Sequence, residues 1–274
     1  MALTKVLIAV KTYPTISTKY EELVCTAGFL EDGSWIRIYP IQFRKKSYQQ
    51  QYSKYEWIEL DLVKNTADFR PESFRPKTHE TKINIIGRIE PDGNTWAERR
   101  KIVLNKVYTN LTALIREAKD KSICTSLAVF KPTKVLDFIW KEVEREWSKE
   151  KLAQFHQLNI FQQSNEKCFE VVKKLPFKFS FKFQDEEGKI STIMIEDWET
   201  GELYWNCLKR HNGDEQKACL DVRKKYIDNF AKTKDLYFFL GTTQAHHFRA
   251  PNPFLITRVF TSYHLNKTFT ISCS

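Results

Sequence analysis

"VCTAGFLEDGSWIRIYP", residues 24–40, is the stretch on which the fold of this chain turns. Two apolar-rich arms flank the acidic turn Glu31-Asp32-Gly33, the pattern of a β-hairpin. Residues alternate across a strand, so on the return arm Trp35, Arg37 and Tyr39 share one side while Ile36, Ile38 and Pro40 share the other. With the isoleucines turned to a core, the other side becomes a platform for stacking bases and holding phosphates, continued by Phe43, Arg44, Lys45 and Lys46. A purely structural reading also stands: Trp35 and Tyr39 pack on a neighbouring helix, and Arg37 pairs across the sheet with Glu59 or Asp61.

Around the hairpin, apolar periodicity predicts strands at 4–12, 22–30, 34–41, 55–63 and 83–90. "RKKSYQQQYSK" between the third and fourth suits a short helix, and 68–79, with Pro71 and Pro76, reads as a loop. A helix is predicted from Asn94 to about Lys121 on the stripe Trp96, Val103, Val107, Leu111 and Leu114. Strands at 123–130 and 134–140 precede a polar helix at 142–164, then strands at 177–184 and 190–196. A long helix over 199–231, broken at Asn212 and Gly213, leads to strands at 235–240 and 253–260.

That order predicts an α+β protein in three parts: an antiparallel β-barrel over 1–93, a connecting helix over 94–122, and a second mixed β domain with packing helices over 123–274. A helix between the third and fourth strands is close to the connectivity of the OB-fold, a small Greek-key barrel that binds oligonucleotides and oligosaccharides, and the second domain could be written the same way. No repeat of fixed period joins the two halves. "VCTAGFLEDGSWIRIYP", followed by "WIELDLVKN" and "FRPESF", resembles bacterial dual OB domain proteins over about residues 4–90, departing where Ile38 and Tyr39 stand between the arginine and Pro40. The resemblance implies an OB-like fold and nucleic-acid association, and no catalytic residues.

Composition sets the bounds. With 42% hydrophobic and 28% charged residues, 20 Phe, 11 Tyr and 7 Trp, the chain of 274 residues reads as folded throughout. No apolar run reaches the roughly 20 residues that span a bilayer, and the start has no cleavage pattern, so no membrane and a cytoplasmic location are expected. Six scattered cysteines without a CxxC pair argue against a disulfide framework or a zinc ribbon. A formal charge of +10 favours polyanionic partners, and it is segregated: 33–55 and 171–184 carry cations without an acid, and nothing after Asp235 is acidic.

Four further constellations bear on chemistry. "FRPESFRP" (69–76) sets Arg70 and Arg75 on a proline-stiffened loop, suited to phosphates or to closing on Glu72. "GTTQAHHFRAPNP" (241–253) brings Thr242, His246, His247 and Arg249 together as a candidate ligand or catalytic loop. Glu196, Asp197, Glu199 and Glu202 are candidates for magnesium, or are acids favoured at a helix start. Cys207 and His211, with Cys219 beyond, have metal-ligand spacing but lack a fourth ligand. No Walker loop, GxGxxG, GxSxG or HExxH is present, so no metal and no cofactor are assigned. The leading expectation is a nucleic-acid-binding protein for single-stranded or distorted strands, alone or within a bacterial assembly acting on foreign DNA. A protein-interaction subunit and a metal-dependent phosphodiesterase are the alternatives.

Overall fold

The computed structural model describes residues 3–17, 21–93, 95–153 and 171–262. Its first element of architecture is the hairpin. Strand β3 (Glu21–Phe29) pairs antiparallel with β4 (Trp35–Ile41), Phe29 opposite Trp35 and Gly28 opposite Ile36. Gly33 turns the chain at φ +80°, and Asp32 accepts from both the backbone N and the Oγ of Ser34. Gly28 has a packing reason to be glycine: a Cβ there would lie 2.1 Å from the Leu7 carbonyl oxygen on the adjacent strand.

Strand β1 (Thr4–Lys11) pairs with β3 on one side and with β5 (Glu56–Leu60) on the other, both antiparallel. Beyond the hairpin, β4 runs parallel to β7 (Ser73–Pro76), which pairs antiparallel with β6 (Leu62–Lys64). Only Asp61 separates β5 from β6, so the path β6-β7-β4-β3-β1-β5 begins and ends on one stretch of chain and the sheet curls. The short β2 (Thr15–Ser17) adds to β3, and β8 (Asn84–Arg88) lies outside β5. Inside the curl, Val6, Ile8, Val24, Ile36, Ile38, Phe43, Tyr52, Ile58 and Leu60 are all buried, the predicted role of the isoleucine side.

The remainder carries two smaller sheets. One has the order β15-β14-β10-β9, from Phe254–Ser262, Asp235–Thr242, Leu127–Phe130 and Val107–Tyr108; the other is β11-β12-β13, from Lys134–Glu142, Phe177–Gln184 and Ile190–Met194. Between them and helices α3 (Trp198–Arg210) and α4 (Glu215–Tyr226) lies a phenylalanine-rich core that includes Phe138, Phe179, Phe181, Phe183 and Phe238. The helix break predicted at Asn212 and Gly213 is there, with φ of 51° and 90°.

The helix predicted from Asn94 to Lys121 is replaced by three elements: α1 (Ala97–Val103), β9, and α2 (Leu111–Lys119). Val107 and Tyr108 pair in parallel with Val129 and Phe130, and Asn110 restarts the helix by accepting from the Ala113 N at 2.8 Å. The strand predicted from 123 begins only at Leu127, after Cys124 at φ 53°. Of the polar helix predicted at 142–164, Glu142 still belongs to β11 and 154–164 lie outside the described residues. Among the described residues the chain is mostly β, with mixed sheets and a few helices, none of them long and apolar enough to cross a membrane.

Candidate nucleic-acid interface

The stripe Trp35, Arg37 and Tyr39 does share a face of β4, but that face is turned onto β14 of the other half. The Trp35 ring lies 4.0 Å from the Phe29 centroid and 5.6 Å from that of Phe239. Arg37 is 4% exposed; its Nη1 donates to the Thr242 carbonyl at 2.9 Å, and its Nη2 donates to the carbonyl and hydroxyl of Ser126 at 3.1 and 3.0 Å. Its carboxylate neighbour is Glu72 at 3.6 Å, not Glu59 or Asp61. An open stacking platform is therefore ruled out for Trp35 and Arg37, while Tyr39 is half-buried beside a cavity. Phe43 packs on Tyr52 and Trp198, and Arg44 pairs with Glu22 at 2.5 Å.

Arg70 is also removed from the set of phosphate donors. It is 5% exposed, forks onto Asp68 at 2.6–3.1 Å and donates through Nη1 to the same Thr242 carbonyl. Its partner is Asp68 and not the predicted Glu72, whose carboxylate accepts from the Ser126 hydroxyl.

The histidine loop divides. His246 and Arg249 are exposed, whereas His247 is fully buried. The Ala118 carbonyl, 2.7 Å from its Nε2, can only accept, so Nε2 carries the proton and Nδ1 accepts from the Thr242 hydroxyl at 2.8 Å. Burial lowers its pKa and favours this neutral form. With both nitrogens engaged, His247 is a brace between this loop and α2 rather than a proton shuttle. Nearby Cys124 is buried and its thiol is pushed up by burial, the condition of an inert cysteine.

The acidic cluster is likewise committed. Asp197, 2% exposed at the start of α3, pairs with buried Lys54 at 2.6 Å. Glu199 lies 3.1 Å from Lys54 and 3.2 Å from Arg258; burial opposes its ionisation, but these two cations outweigh it and hold the carboxyl at about 2. Glu202 is exposed. His211 meets Asp221 at 2.7 Å, and Cys207 accepts from Arg210 at 3.1 Å. Among the described residues no three His, Cys, Asp or Glu side chains gather as a metal site.

What stays accessible is a cleft of about 180 Å³ at the end of the curled sheet, where the last residues of β4 meet β7 and the turn that follows it. Lys46, Arg75, Lys77 and His79 line it together with Gln42, Thr78 and Thr81, and no acid is among its lining residues. Lys46 fixes the turn by donating to the carbonyls of His79 and Thr81 at 2.9 and 3.2 Å. Asp61 reaches Lys77 from outside the lining at 3.2 Å. Beside the cleft Gln50 accepts from the Ile83 N at 3.1 Å, which anchors the short 3-10 turn carrying Tyr48, 87% exposed. Of the predicted binders this cleft gathers Lys46 and Arg75. Sequence reading missed Lys77, His79 and Tyr48, although their signal was present: a lysine and a histidine just past "FRPESFRP", and an aromatic inside a polar basic stretch.

Residues 2–105 match a domain of unknown function, DUF8758, and residues 107–272 match a second, DUF8757. The chain belongs to the DUF8757 family. Neither description names a source or an OB-fold. No curated protein matches. A solved structure described as a murine DNA binding protein bound with double-stranded DNA aligns over 96% of this chain and 97% of its own, at 8% identity and a TM-score of 0.34, a likeness that does not establish a shared fold. The basic cleft lies wholly within the DUF8758 match, whereas Ser126, Thr242 and Phe239, which cover the Trp35 and Arg37 face, come from the DUF8757 match.

Proposed function

We propose that this chain binds nucleic acid, single-stranded or distorted, with the cleft of Lys46, Arg75, Lys77 and His79 holding phosphates and Tyr48 stacking a base. The observation that carries this reading is the acid-free, cation-rich lining of an accessible cleft beside an exposed aromatic. We read residues 1–93 as an OB-like barrel: β1, β3, β4, the bent β5–β6 and β7 make five strands, with β4 parallel to β7 and the bent strand closing on β1. In this reading residues 123–274 are the second β domain, and it covers the β3–β4 face, so the strand is held at the end of the barrel instead.

The test is fluorescence anisotropy of labelled single-stranded DNA, single-stranded RNA and duplex DNA across a salt series, comparing the natural chain with the double variant Arg75→Ala, Lys77→Ala. Weakened binding with a shallower salt dependence supports the cleft; unchanged affinity and slope remove it. A protein-interaction role has one observation of its own: β8 is exposed along its length, with Ile85 at 38% and Ile86 at 44%, and among the described residues no strand pairs with its outer edge. A pull-down partner lost on Ile86→Lys would favour that second reading.

A further inference from the structure

Between the two halves lies a second cavity, of about 320 Å³, enough for roughly ten waters at bulk density. Its floor is the outer face of β1, β3 and β4, and its roof is β14, β15 and the exposed residues Thr243, Gln244 and Ala245 at its mouth. Val10, Leu23, Ala27, Leu127 and Leu255 make its body apolar.

Its two ends carry opposite chemistry. At one end is Glu196, whose backbone is tied to the chain just past β1 by the Tyr13 N. Among the described residues its carboxylate makes no hydrogen bond and no ion pair; Glu196 also borders a neighbouring cavity, from whose rim Lys178 acts on it beyond ion-pair distance. At the other end is Arg37, which is 4% exposed, with both Nη atoms engaged by Thr242 and Ser126 and its Nε enclosed in the protein. Glu196 pairs beyond β1, and β3 lies between β1 and β4, so three strand spacings, about 14 Å, separate these ends.

Charge then selects the ligand. Arg70 is matched by Asp68 at 2.6 Å and Arg37 by Glu72 at 3.6 Å, so the guanidinium end is close to neutral. The Glu196 end is left with a carboxylate that burial already pushes toward its neutral form. We infer that this cavity is a binding site for a small organic monocation, with an ammonium against the Glu196 carboxylate and an apolar chain along the body. This site is independent of the basic cleft and lies on the opposite side of the question of nucleic-acid binding, since it takes a cation and not a polyanion.

The probe is N-acetylputrescine, which has an ammonium, a four-carbon chain and an amide carbonyl. Isothermal titration calorimetry on the full chain should show one saturable site. N-butylacetamide, without the ammonium, should bind about ten-fold more weakly or worse, and so should N-acetylputrescine on Glu196→Gln. A second readout uses the unmodified chain. Cys25 lines the cavity and is only partly buried, so its alkylation, followed by peptide mass spectrometry, should slow when the probe is bound. Equal binding of the two amides, undiminished binding to Glu196→Gln, or no protection of Cys25 at saturating probe overturns the inference, as does the absence of any saturable binding.

Discussion

Replacing Lys54 by methionine tests what holds the two halves together. The Lys54 side chain is 5% exposed and that of Asp197 is 2% exposed, with 2.6 Å between Nζ and Oδ1, so the substitution leaves a carboxylate in the interior without its cation. Removing one partner of a buried pair costs about 3–5 kcal/mol. Lys11 is close enough to act on both Asp197 and Glu199, which places the expected loss in the lower half of that range. For a chain of this size the melting temperature should fall by roughly 6–16 °C. Adding Asp197→Leu removes the stranded charge, and the double variant should recover most of the loss, because an apolar pair of similar volume is often as stable as the ion pair it replaces. Urea titrations of the four proteins give the coupling directly. The sign with pH is also fixed. Burial raises the folded-state pKa of Asp197 above 3.8, so its penalty is absent below that value and grows as pH rises through the folded-state pKa. The deficit of Lys54→Met should therefore shrink on acidification. A single variant that loses less than about 1 kcal/mol, or a double variant that loses the sum of the two single effects, would refute the pair as the organising contact.

Other outcomes follow from the same geometry. In the nucleic-acid titrations, the slope of log affinity against log salt should flatten by about 0.7 for each single-strand phosphate contact removed with Arg75 or Lys77. Tyr48→Ala should weaken binding by about 1–3 kcal/mol while leaving the urea midpoint unchanged, since its ring is exposed; loss of stability without loss of affinity would exclude stacking. Gly201→Ala would set a Cβ 2.2 Å from the Tyr13 ring, which cannot move freely because its hydroxyl accepts from Trp205 at 2.9 Å and donates to the Lys173 carbonyl at 2.8 Å; overpacking of this kind costs about 1–3 kcal/mol, read by thermal unfolding. His247 has a folded-state pKa below 6.5, so its contribution is complete above that value and is lost as pH falls through the folded-state pKa. Stability measured on either side of pH 6.5 should drop more in the natural chain than in His247→Gln.

Local pattern carried the hairpin well because residues 35–39 alternate between isoleucine and aromatic or charged side chains, whereas β7 formed inside the stretch 68–79 that reads as a loop. Ile36 and Ile38 are buried inside the curl as their spacing requires, and Trp35 and Arg37 stand on the other face. What lies against that face was not legible: Arg37 meets Thr242 across 205 residues and Ser126 across 89, and no local propensity encodes such a pairing. The break at Asn212 and Gly213 was legible because both adopt left-handed backbone. The strand at Val107 and Tyr108 was not, since an apolar residue every three or four positions also satisfies a helix and only the partner Val129–Phe130 decides. Acids at the start of α3 were readable as a helix entrance; that Lys54, 143 residues away, had already claimed Asp197 was not.

The distribution of the cations explains why a basic sequence misled about its own surface. Net charge counts Arg37, Arg70, Lys54 and Arg258 with the rest, yet all four are at most 7% exposed and bind carbonyls or carboxylates at the junction of the DUF8758 and DUF8757 matches. Two guanidiniums converge on one acceptor, the Thr242 carbonyl, so separating the halves would strand donors of Arg37 and Arg70 together. Arginine suits this work because its rigid fork satisfies several acceptors in one plane and stays charged when buried. Lysine and histidine are instead prominent where the surface turns outward, in the cleft of Lys46, Lys77 and His79. Aromatic and arginine residues in alternation thus marked an internal joint here, and the accessible cations sit on the turn after β7, where no strand periodicity announced them.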